Sequence, residues 1–126
     1  METILLVDEN PLRASMRKTL LEGGDPTVVR ARDAVEALCL VEAPEVTHSL
    51  MLVITGHMMT GISGPEFVAE LRSRLPEVPI LVLSALPATE KQYLGIPGVY
   101  HSQTASPEEL RTTVNHLLSE LHQRTA

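Results

Sequence analysis

Residues 4–11 of the chain, Ile-Leu-Leu-Val-Asp-Glu-Asn-Pro, decide the fold because they join an apolar run to the start of a helix. Aliphatic residues in unbroken succession are typical of a short strand that is buried on both faces. Asn10 can cap a helix through its side-chain oxygen, and Pro11 suits the first helical position. The stretch therefore predicts a strand followed at once by a helix, with Asp8 and Glu9 at the junction.

The same alternation of strand-length apolar runs and helix-length amphipathic stretches continues to the end of the chain. It is typical of a parallel sheet that is covered by helices on both faces. Strands are predicted at residues 4–7, 27–29, 50–55, 80–84 and 99–102. Helices are predicted to start after Asn10, Asp33, Ser63 and Ser106, with a further short helix around residues 89–94. We therefore expect a single α/β domain over residues 1–126, built from five βα units.

Apolar residues at helical spacing predict which side chains of each helix pack against the sheet. The expected inward-facing residues are Leu12, Met16 and Leu20, then Val35, Leu38 and Val41 ahead of Pro44, then Phe67, Val68, Leu71 and Leu75, and finally Leu110, Val114, Leu117 and Leu121. Ser63 and Glu66 have the spacing of a capping box. Cys39 lies within an apolar helical pattern, so we expect it to be a small buried side chain.

The composition of the chain argues against several classes of function. The chain of 126 residues carries a net charge of −6, and its only lysines are Lys18 and Lys91, which argues against a nucleic-acid-binding face. The lone Cys39 cannot form an internal disulfide and suggests a reducing compartment. No apolar run approaches the ~20 residues needed to cross a bilayer. We expect a cytoplasmic domain with neither a nucleic-acid nor a membrane partner.

Polar residues follow the predicted strands at the edge where ligands bind in open α/β sheets. They are Asp8 and Glu9 after the first strand, Gly56 and His57 after the third, Ser84 and Ala85 after the fourth, and Gln103 and Thr104 after the fifth. Adjacent carboxylates repel each other unless a cation or hydrogen bonds offset the repulsion, and hard oxygen ligands suit Mg²⁺. Asp8 and Glu9 are therefore predicted to mark a metal pocket, the alternative being that both are simply solvated.

Motifs in the same order along the chain resemble those of a bacterial response-regulator receiver domain of the chemotaxis-regulator type. They are Ile-Leu-Leu-Val-Asp-Glu-Asn-Pro-Leu-Arg at 4–13, Leu-Val-Ile-Thr-Gly-His-Met-Met-Thr-Gly-Ile-Ser-Gly-Pro-Glu at 52–66, Leu-Val-Leu-Ser-Ala at 81–85 and Ser-Pro-Glu-Glu-Leu at 106–110. The resemblance covers essentially the whole chain. It implies a three-layer α/β/α, flavodoxin-like (βα)5 fold with the parallel strand order 2-1-3-4-5.

The resemblance also implies a phosphorelay reaction in two-component signal transduction, in which a histidine kinase phosphorylates an aspartate at the end of the third strand in the presence of Mg²⁺. Asp8 and Glu9 match the family's acid pair, Ser84 its hydroxyl residue, and Tyr100 the aromatic that reports phosphorylation. The departures fall on the reacting positions. Gly56 replaces the phosphate-accepting aspartate and Gln103 the lysine, while Thr60 and Thr104 replace prolines.

Glycine has no side chain on which an acyl phosphate could form. We therefore expect a pseudo-receiver that is not an enzyme, has a weak or vestigial Mg²⁺ site, and requires no cofactor. It would act as a phosphorylation-independent interaction module for a histidine kinase or an output domain, with homodimerisation as a further possibility. Its expected binding face includes the last helix, the fifth strand and Tyr100. The neighbouring His57 is expected to be an exposed, inert imidazole.

Two alternatives remain open at this stage. One is a dehalogenase-like phosphatase, in which a nucleophilic aspartate after the first strand is followed two residues later by another aspartate. Here Asn10 stands at that second position. The other is a small-ligand-binding flavodoxin-like domain, although the loop after the first strand lacks the glycine and hydroxyl residues that would cradle a phosphate.

Overall fold

A computed structural model describes residues 2–23, 26–84, 86, 89–103 and 107–125, with side chains described as far as residue 120. Within these residues, parallel strands form one sheet in the order β2-β1-β3-β4-β5. The strands are β1 (Thr3–Val7), β2 (Thr27–Ala31), β3 (Leu50–Gly56), β4 (Ile80–Leu83) and β5 (Val99–Ser102). The helices are α1 (Pro11–Leu21), α2 (Ala34–Leu40), α3 (Pro44–Thr47), α4 (Gly64–Arg74) and α5 (Pro107–Thr125), and a 3₁₀ helix (Thr89–Tyr93) lies between β4 and β5.

The predicted fold class and strand order are confirmed. Each strand lies within two residues of its predicted bounds. The apolar runs of β1, β3 and β4 are almost entirely buried, whereas β2 and β5 at the two edges of the sheet are only partly buried. The short helix α3 was missed. Pro44 was interpreted only as the end of the preceding helix, whereas it also starts a new turn at the first helical position.

Two hydrophobic cores cover the two faces of the sheet. Leu5 and Val7 of β1 pack in the core beneath α2 and α4. Ile4 and Leu6 point the other way, into the core beneath α1 and α5. Alternate residues of one strand therefore enter different cores, which explains why the strand-length runs are uninterrupted by polar residues.

The predicted helix starts are confirmed wherever they are described. The side-chain oxygen of Asn10 accepts a hydrogen bond from the backbone N–H of Arg13 at 3.0 Å, and Asp33 caps α2 in the same way. Ser63 accepts a hydrogen bond from the backbone N–H of Glu66 at 3.2 Å, which is the first bond of the predicted capping box. The Glu66 carboxylate accepts from the Ser63 hydroxyl at 3.1 Å. Ser106, the expected cap of α5, lies outside the described residues.

The predicted inner face of α1 was wrong for Leu12 and Met16, whereas Leu20 packs, partly buried, against the core beneath α1 and α5. Leu12 and Met16 are 78% and 63% exposed, and the residues that α1 buries are Ala14 and Leu21. The small side chain of Ala14 lets the helix approach the sheet closely. This rotation brings Arg17, which is 22% exposed, to the carboxyl edge of the sheet.

Two further expectations for α2 were also wrong. Val35 is 72% exposed, and the thiol of Cys39 is exposed rather than buried. As in α1, the side of the helix that faces the sheet carries small residues, which let the helix approach the sheet closely. In α2 these are Ala34 and Ala37. In α5 the expected burial of Leu110, Val114 and Leu117 is confirmed, while the side chain of Leu121 lies outside the described residues.

Candidate functional site

The carboxyl ends of the strands meet as expected at one edge of the sheet. Gly56 at the end of β3 pairs with Leu83 at the end of β4, and the backbone N–H of His57 donates to the Leu83 carbonyl at 3.2 Å. A pocket of about 400 Å³ opens beside this pair. Its described lining consists of Arg13, Arg17, Gly56, His57, Met58, Leu83, Ser84 and Leu86.

The carboxylate of Asp8 beside this pocket is held by two guanidinium groups. Arg13 donates from Nη2 to Oδ1 at 2.7 Å and from Nε to both carboxylate oxygens at 3.0–3.1 Å. Arg17 donates from Nη1 to Oδ2 at 3.0 Å. The side chain of Asp8 is 0% exposed, whereas Arg13 and Arg17 are 54% and 22% exposed, so only the carboxylate is fully removed from water. Arg30 adds two hydrogen bonds to the backbone carbonyl of Asp8.

The arginines determine the ionisation of Asp8. Burial alone would raise the pKa of the carboxyl group, but the hydrogen bonds from Arg13 and from the Asn10 amide, with the charges of Arg13 and Arg17, bring the pKa below its ordinary value of 3.8. Desolvation lowers the pKa of Arg17 from its ordinary value, against the favourable charge of Asp8. Since an arginine side chain stays charged at neutral pH, the three side chains together carry a net charge of +1.

Glu9 does not join Asp8. Its carboxylate accepts hydrogen bonds from the backbone N–H of Thr60 at 3.2–3.3 Å and from the Thr60 hydroxyl at 3.2 Å. Glu9 and Thr60 line a separate cavity of about 330 Å³ on the α2 side. The predicted acid pair is therefore divided between two pockets.

Gly56 leaves space where a longer side chain would enter the pocket. A Cβ placed on Gly56 would have the Met58 carbonyl oxygen, 4.0 Å away, as its nearest contact. Gln103 follows β5 with an exposed side chain and does not line the pocket. Thr104 lies outside the described residues, so its predicted role at the pocket stays a prediction.

Ser84 lines the pocket, but its hydroxyl is engaged inward. Thr89 of the 3₁₀ helix donates to the Leu86 carbonyl at 2.8 Å, which uses the only hydroxyl proton of Thr89. Ser84 must then be the donor in its 2.9 Å contact with Thr89, and it accepts from the Leu86 N–H. The proton of Ser84 is therefore not directed into the pocket.

A model of the response regulator receiver domain family matches residues 4–95, which include every strand end described above except that of β5. The chain belongs to the response regulator receiver family. It is 34% identical over 119 residues to the response regulator MprA of Mycobacterium ulcerans, a match that covers 91% of this chain and 49% of MprA. It is 33% identical over 90 residues to the response regulator protein FleR of Pseudomonas aeruginosa, which covers 71% of this chain and 18% of FleR.

The fold agrees with solved receiver domains. The receiver domain of the Francisella response regulator 1452 superimposes with a TM-score of 0.75 at 27% identity, with all of each chain covered. In the sequence comparisons, this chain spans about half the length of MprA and a smaller part of FleR. Receiver domains are generally signalling modules that interact with histidine kinases and output domains in two-component systems. No described helix is long and apolar enough to span a membrane.

Receiver domains typically bind Mg²⁺ at the phosphorylation site, but the residues of this one do not fit that ion. Both oxygens of Asp8 accept hydrogen bonds from guanidinium groups, and Glu9 faces a different pocket. Gly56 contributes no carboxylate. Among the described residues no group of three or more carboxylate, histidine or cysteine side chains is placed to hold a metal. Mg²⁺ would have to displace two guanidinium groups to reach Asp8, the exposed one of Arg13 and the partly buried one of Arg17.

The tyrosine next to the receiver's pocket is Tyr93, which sequence reasoning did not identify. Tyr100 is partly buried against the core beneath α1 and α5. Tyr93 is instead buried in the other core, and its hydroxyl lies 2.7 Å from Nδ1 of His57. Burial raises the pKa of Tyr93 to about 12, so the phenol keeps its proton and can donate it to His57. His57 is thus a half-buried, hydrogen-bonded part of the pocket wall, and the expectation that it would be exposed was wrong.

His101 of β5 also contacts Tyr93, with 4.9 Å between ring centroids and an angle of 59° between the ring planes. Its Nε2 is buried without a hydrogen-bond partner among the residues that the structure describes. Desolvation lowers the pKa of His101 from 6.5, against the favourable charge of Glu90, and the nearby His57 lowers it further. The neutral ring is therefore the form that the fold accommodates.

This burial predicts a pH-dependent stability. Below pH 6.5 the unfolded chain takes up a proton at His101 that the folded chain resists, so stability falls as pH falls from 6.5 to the folded pKa and then changes no further. His101→Leu is expected to remove this part of the decline between pH 7 and pH 5, measured by urea denaturation. His48→Gln, at the exposed end of α3, is the control and should leave the decline unchanged. An identical decline in His101→Leu would contradict the assignment.

Proposed function

We propose that this receiver domain is a phosphorylation-independent protein-interaction module. The observation that carries the proposal is the state of the carboxyl edge, where β3 ends in Gly56 and the carboxylate of Asp8 is neutralised by Arg13 and Arg17. The chemistry of phosphotransfer needs an acceptor carboxylate and a metal, and these residues provide neither. What remains is a stable receiver fold with surfaces that can bind a partner.

The proposed partners are a histidine kinase or an output domain of the same signalling system, with self-association as a further possibility. The proposed binding face is formed by α5 and β5, whose core-facing residues Leu110, Val114 and Leu117 hold the helix on the sheet and leave its other side exposed. We further propose that residues 1–126 form one domain that acts in the cytoplasm. The exposed thiol of Cys39 suits a reducing compartment.

The geometry disfavours the phosphatase alternative. Asp8, its only candidate nucleophile, is buried and has both oxygens hydrogen-bonded to arginines. Asn10, at the position of the second acid, is engaged as the cap of α1. Neither side chain is available to attack a phosphate ester or to protonate a leaving group.

Intact-mass measurement after incubation with Mg²⁺ and acetyl phosphate tests the proposal. We expect no phosphoryl adduct, because Gly56 offers no acceptor and Asp8 is enclosed. Beryllofluoride should leave the fluorescence of Tyr93 and Tyr100 unchanged for the same reason. The unmodified domain should bind a purified kinase or output domain equally well with and without acetyl phosphate. A covalent phosphate on any residue would refute the proposal.

A further inference from the structure

The pocket beside Gly56 contains hydrogen-bond donors that the protein does not use. Arg13 engages Asp8 through Nε and Nη2, and Arg17 does so through Nη1. Nη1 of Arg13 and both Nε and Nη2 of Arg17 have no acceptor in the part of the chain that the structure describes. A guanidinium group carries five N–H donors, and Arg17, with 22% of its side chain exposed, presents its remaining donors at the surface of the pocket.

The electrostatics of this wall favour an anion. The described lining contains two guanidinium groups and no carboxylate, and Asp8 behind them offsets one of the two charges. The charge of Glu9 also acts on Arg13, but its carboxylate is bonded to Thr60 in the separate cavity. Gly56 removes the side chain that would otherwise project into the same space. The pocket therefore has an excess positive charge, unused donors and room for a group that the chain itself does not provide.

The rest of the pocket wall is apolar. It includes Leu83, which is buried, and Met58 and Leu86, which are 77% and 50% exposed. Large apolar side chains exposed beside a cavity are typical of ligand-binding sites. A bare inorganic anion would leave this part of the wall in contact with water. The volume of about 400 Å³ also exceeds what a single oxyanion fills and lies within the range of small-molecule sites.

We propose that this pocket binds a small organic anion without a metal, with its carboxylate or phosphate head against Arg13 and Arg17 and its apolar body against Leu83, Met58 and Leu86. Binding is non-covalent and gives the domain a chemical signal that phosphorylation does not supply. The inference rests on the proposed function in one respect, that the pocket is not filled by a phosphorylated side chain.

A series of simple acids tests this site, with backbone amide NMR shifts of Gly56, His57 and Met58 as the readout. Hexanoate is expected to saturate these shifts with a dissociation constant on the order of 1 mM, as for a small ligand of modest efficiency. Affinity should rise about fourfold for each methylene from acetate to hexanoate as the apolar body is buried. Hexanol, which lacks the charge, should not saturate.

The identity of the head group is resolved by a second comparison. Hexyl phosphate and hexanoate share the apolar body, and inorganic phosphate and acetate share only the heads. Tighter binding of hexyl phosphate would assign the site to phosphate esters, and tighter binding of hexanoate to carboxylic acids. Inorganic phosphate binding as tightly as hexyl phosphate would contradict the proposed role of the apolar wall.

Substitutions locate the ligand. Arg17→Gln should weaken hexanoate binding by about tenfold or more, the usual effect of losing a charged hydrogen bond, while Arg32→Gln on the exposed start of α2 should change nothing. Gly56→Asp should weaken binding more than Gly56→Asn, since both fill the space but only the former adds a repelling charge. If Arg17→Gln perturbs folding, the Gly56 pair still decides the matter, because a Cβ at that position meets open space.

Two outcomes would overturn the inference: the absence of saturable shifts with hexanoate, or equal binding of hexanol and hexanoate. Neither is confused with failure of the proposed function. A phosphoryl adduct after acetyl phosphate treatment refutes phosphorylation independence but leaves hexanoate binding to be measured on its own. If acetyl phosphate gives no adduct and hexanoate does not bind, only the proposed ligand site is refuted.

Discussion

Asp8→Asn is expected to lower the free energy of unfolding at pH 7 by about 3 kcal/mol, the effect of removing one partner from a buried ion pair. The substitution keeps the shape of the side chain but leaves Arg13 and Arg17 without their counter-charge. Arg13 is 54% exposed and can return to water, whereas Arg17 is 22% exposed and cannot do so fully. The loss therefore arises mainly at Arg17.

The pH dependence of this difference separates an ion pair from simple packing. The folded pKa of Asp8 lies below the ordinary 3.8, so its contribution is complete above that pH and disappears as pH falls through the folded pKa. Urea denaturation of both proteins from pH 7 to pH 3 should show their stabilities converging only at the acid end. Glu9→Gln is the matched control, because Glu9 is an exposed neighbour that bonds to Thr60 instead of to a guanidinium. Its effect should stay below about 1 kcal/mol.

An equal loss in Asp8→Asn and Glu9→Gln would contradict the arginine-neutralised carboxylate. So would a difference between wild type and Asp8→Asn that persists unchanged at pH 3. Either result would reopen the possibility that Asp8 is available to a metal, and the proposals for both function and ligand would have to be revised.

The fold could be predicted from sequence because its signals are local. The apolar runs of β1 and β3 and the caps Asn10 and Ser63 each act within a few residues, and the parallel arrangement follows from their alternation. The same local signals placed Asp8, Gly56 and Ser84 at one edge of the sheet.

The chemistry of the site could be predicted only in part because it depends on helix rotation. Arg13 and Arg17 are one turn apart, so either both or neither reach Asp8. Leu12 and Met16 suggested the opposite rotation, which would have turned the arginines to solvent. The close packing of Ala14 against the sheet sets the actual rotation of α1. A local sequence pattern does not show that a small alanine, and not two large apolar residues, will face the sheet.

The contact between His57 and Tyr93 was beyond sequence reasoning for a different reason. The two residues are 36 positions apart, and their approach depends on where a short 3₁₀ helix lies relative to the start of α4. Prolines and glycines flank that helix, so its position follows from tertiary packing more than from its own residues. Gly64 at the start of α4 was the available signal, since an invading aromatic side chain needs a neighbour without a Cβ.

Gly64→Ala is accordingly expected to destabilise the domain by about 2 kcal/mol or more. A Cβ at this position would overlap the Tyr93 hydroxyl and would lie 2.7 Å from the backbone oxygen of His57. Replacing glycine by alanine in a helix normally adds about 0.5–1 kcal/mol of stability. Overpacking against backbone costs about 1–3 kcal/mol or more, and the His57 carbonyl cannot rotate away as a flexible side chain would. The steric cost should therefore exceed the gain in helix propensity.

Gly56→Ala is the matched control, because the same methyl group there has no contact closer than 4.0 Å. It should be neutral or should stabilise the domain by about 0.4–1 kcal/mol through the unfolded chain. Thermal and urea unfolding of the two variants should thus differ in sign. Adding Tyr93→Phe to Gly64→Ala removes the hydroxyl clash and leaves the carbonyl clash, so it should restore part of the loss.

The same strain should reach the pocket, because Met58, which lines the pocket, follows His57 directly. Gly64→Ala should therefore weaken hexanoate binding, although residue 64 does not line the pocket. If Gly64→Ala and Gly56→Ala unfold alike, the loop after β3 is not held against the 3₁₀ helix in the manner described.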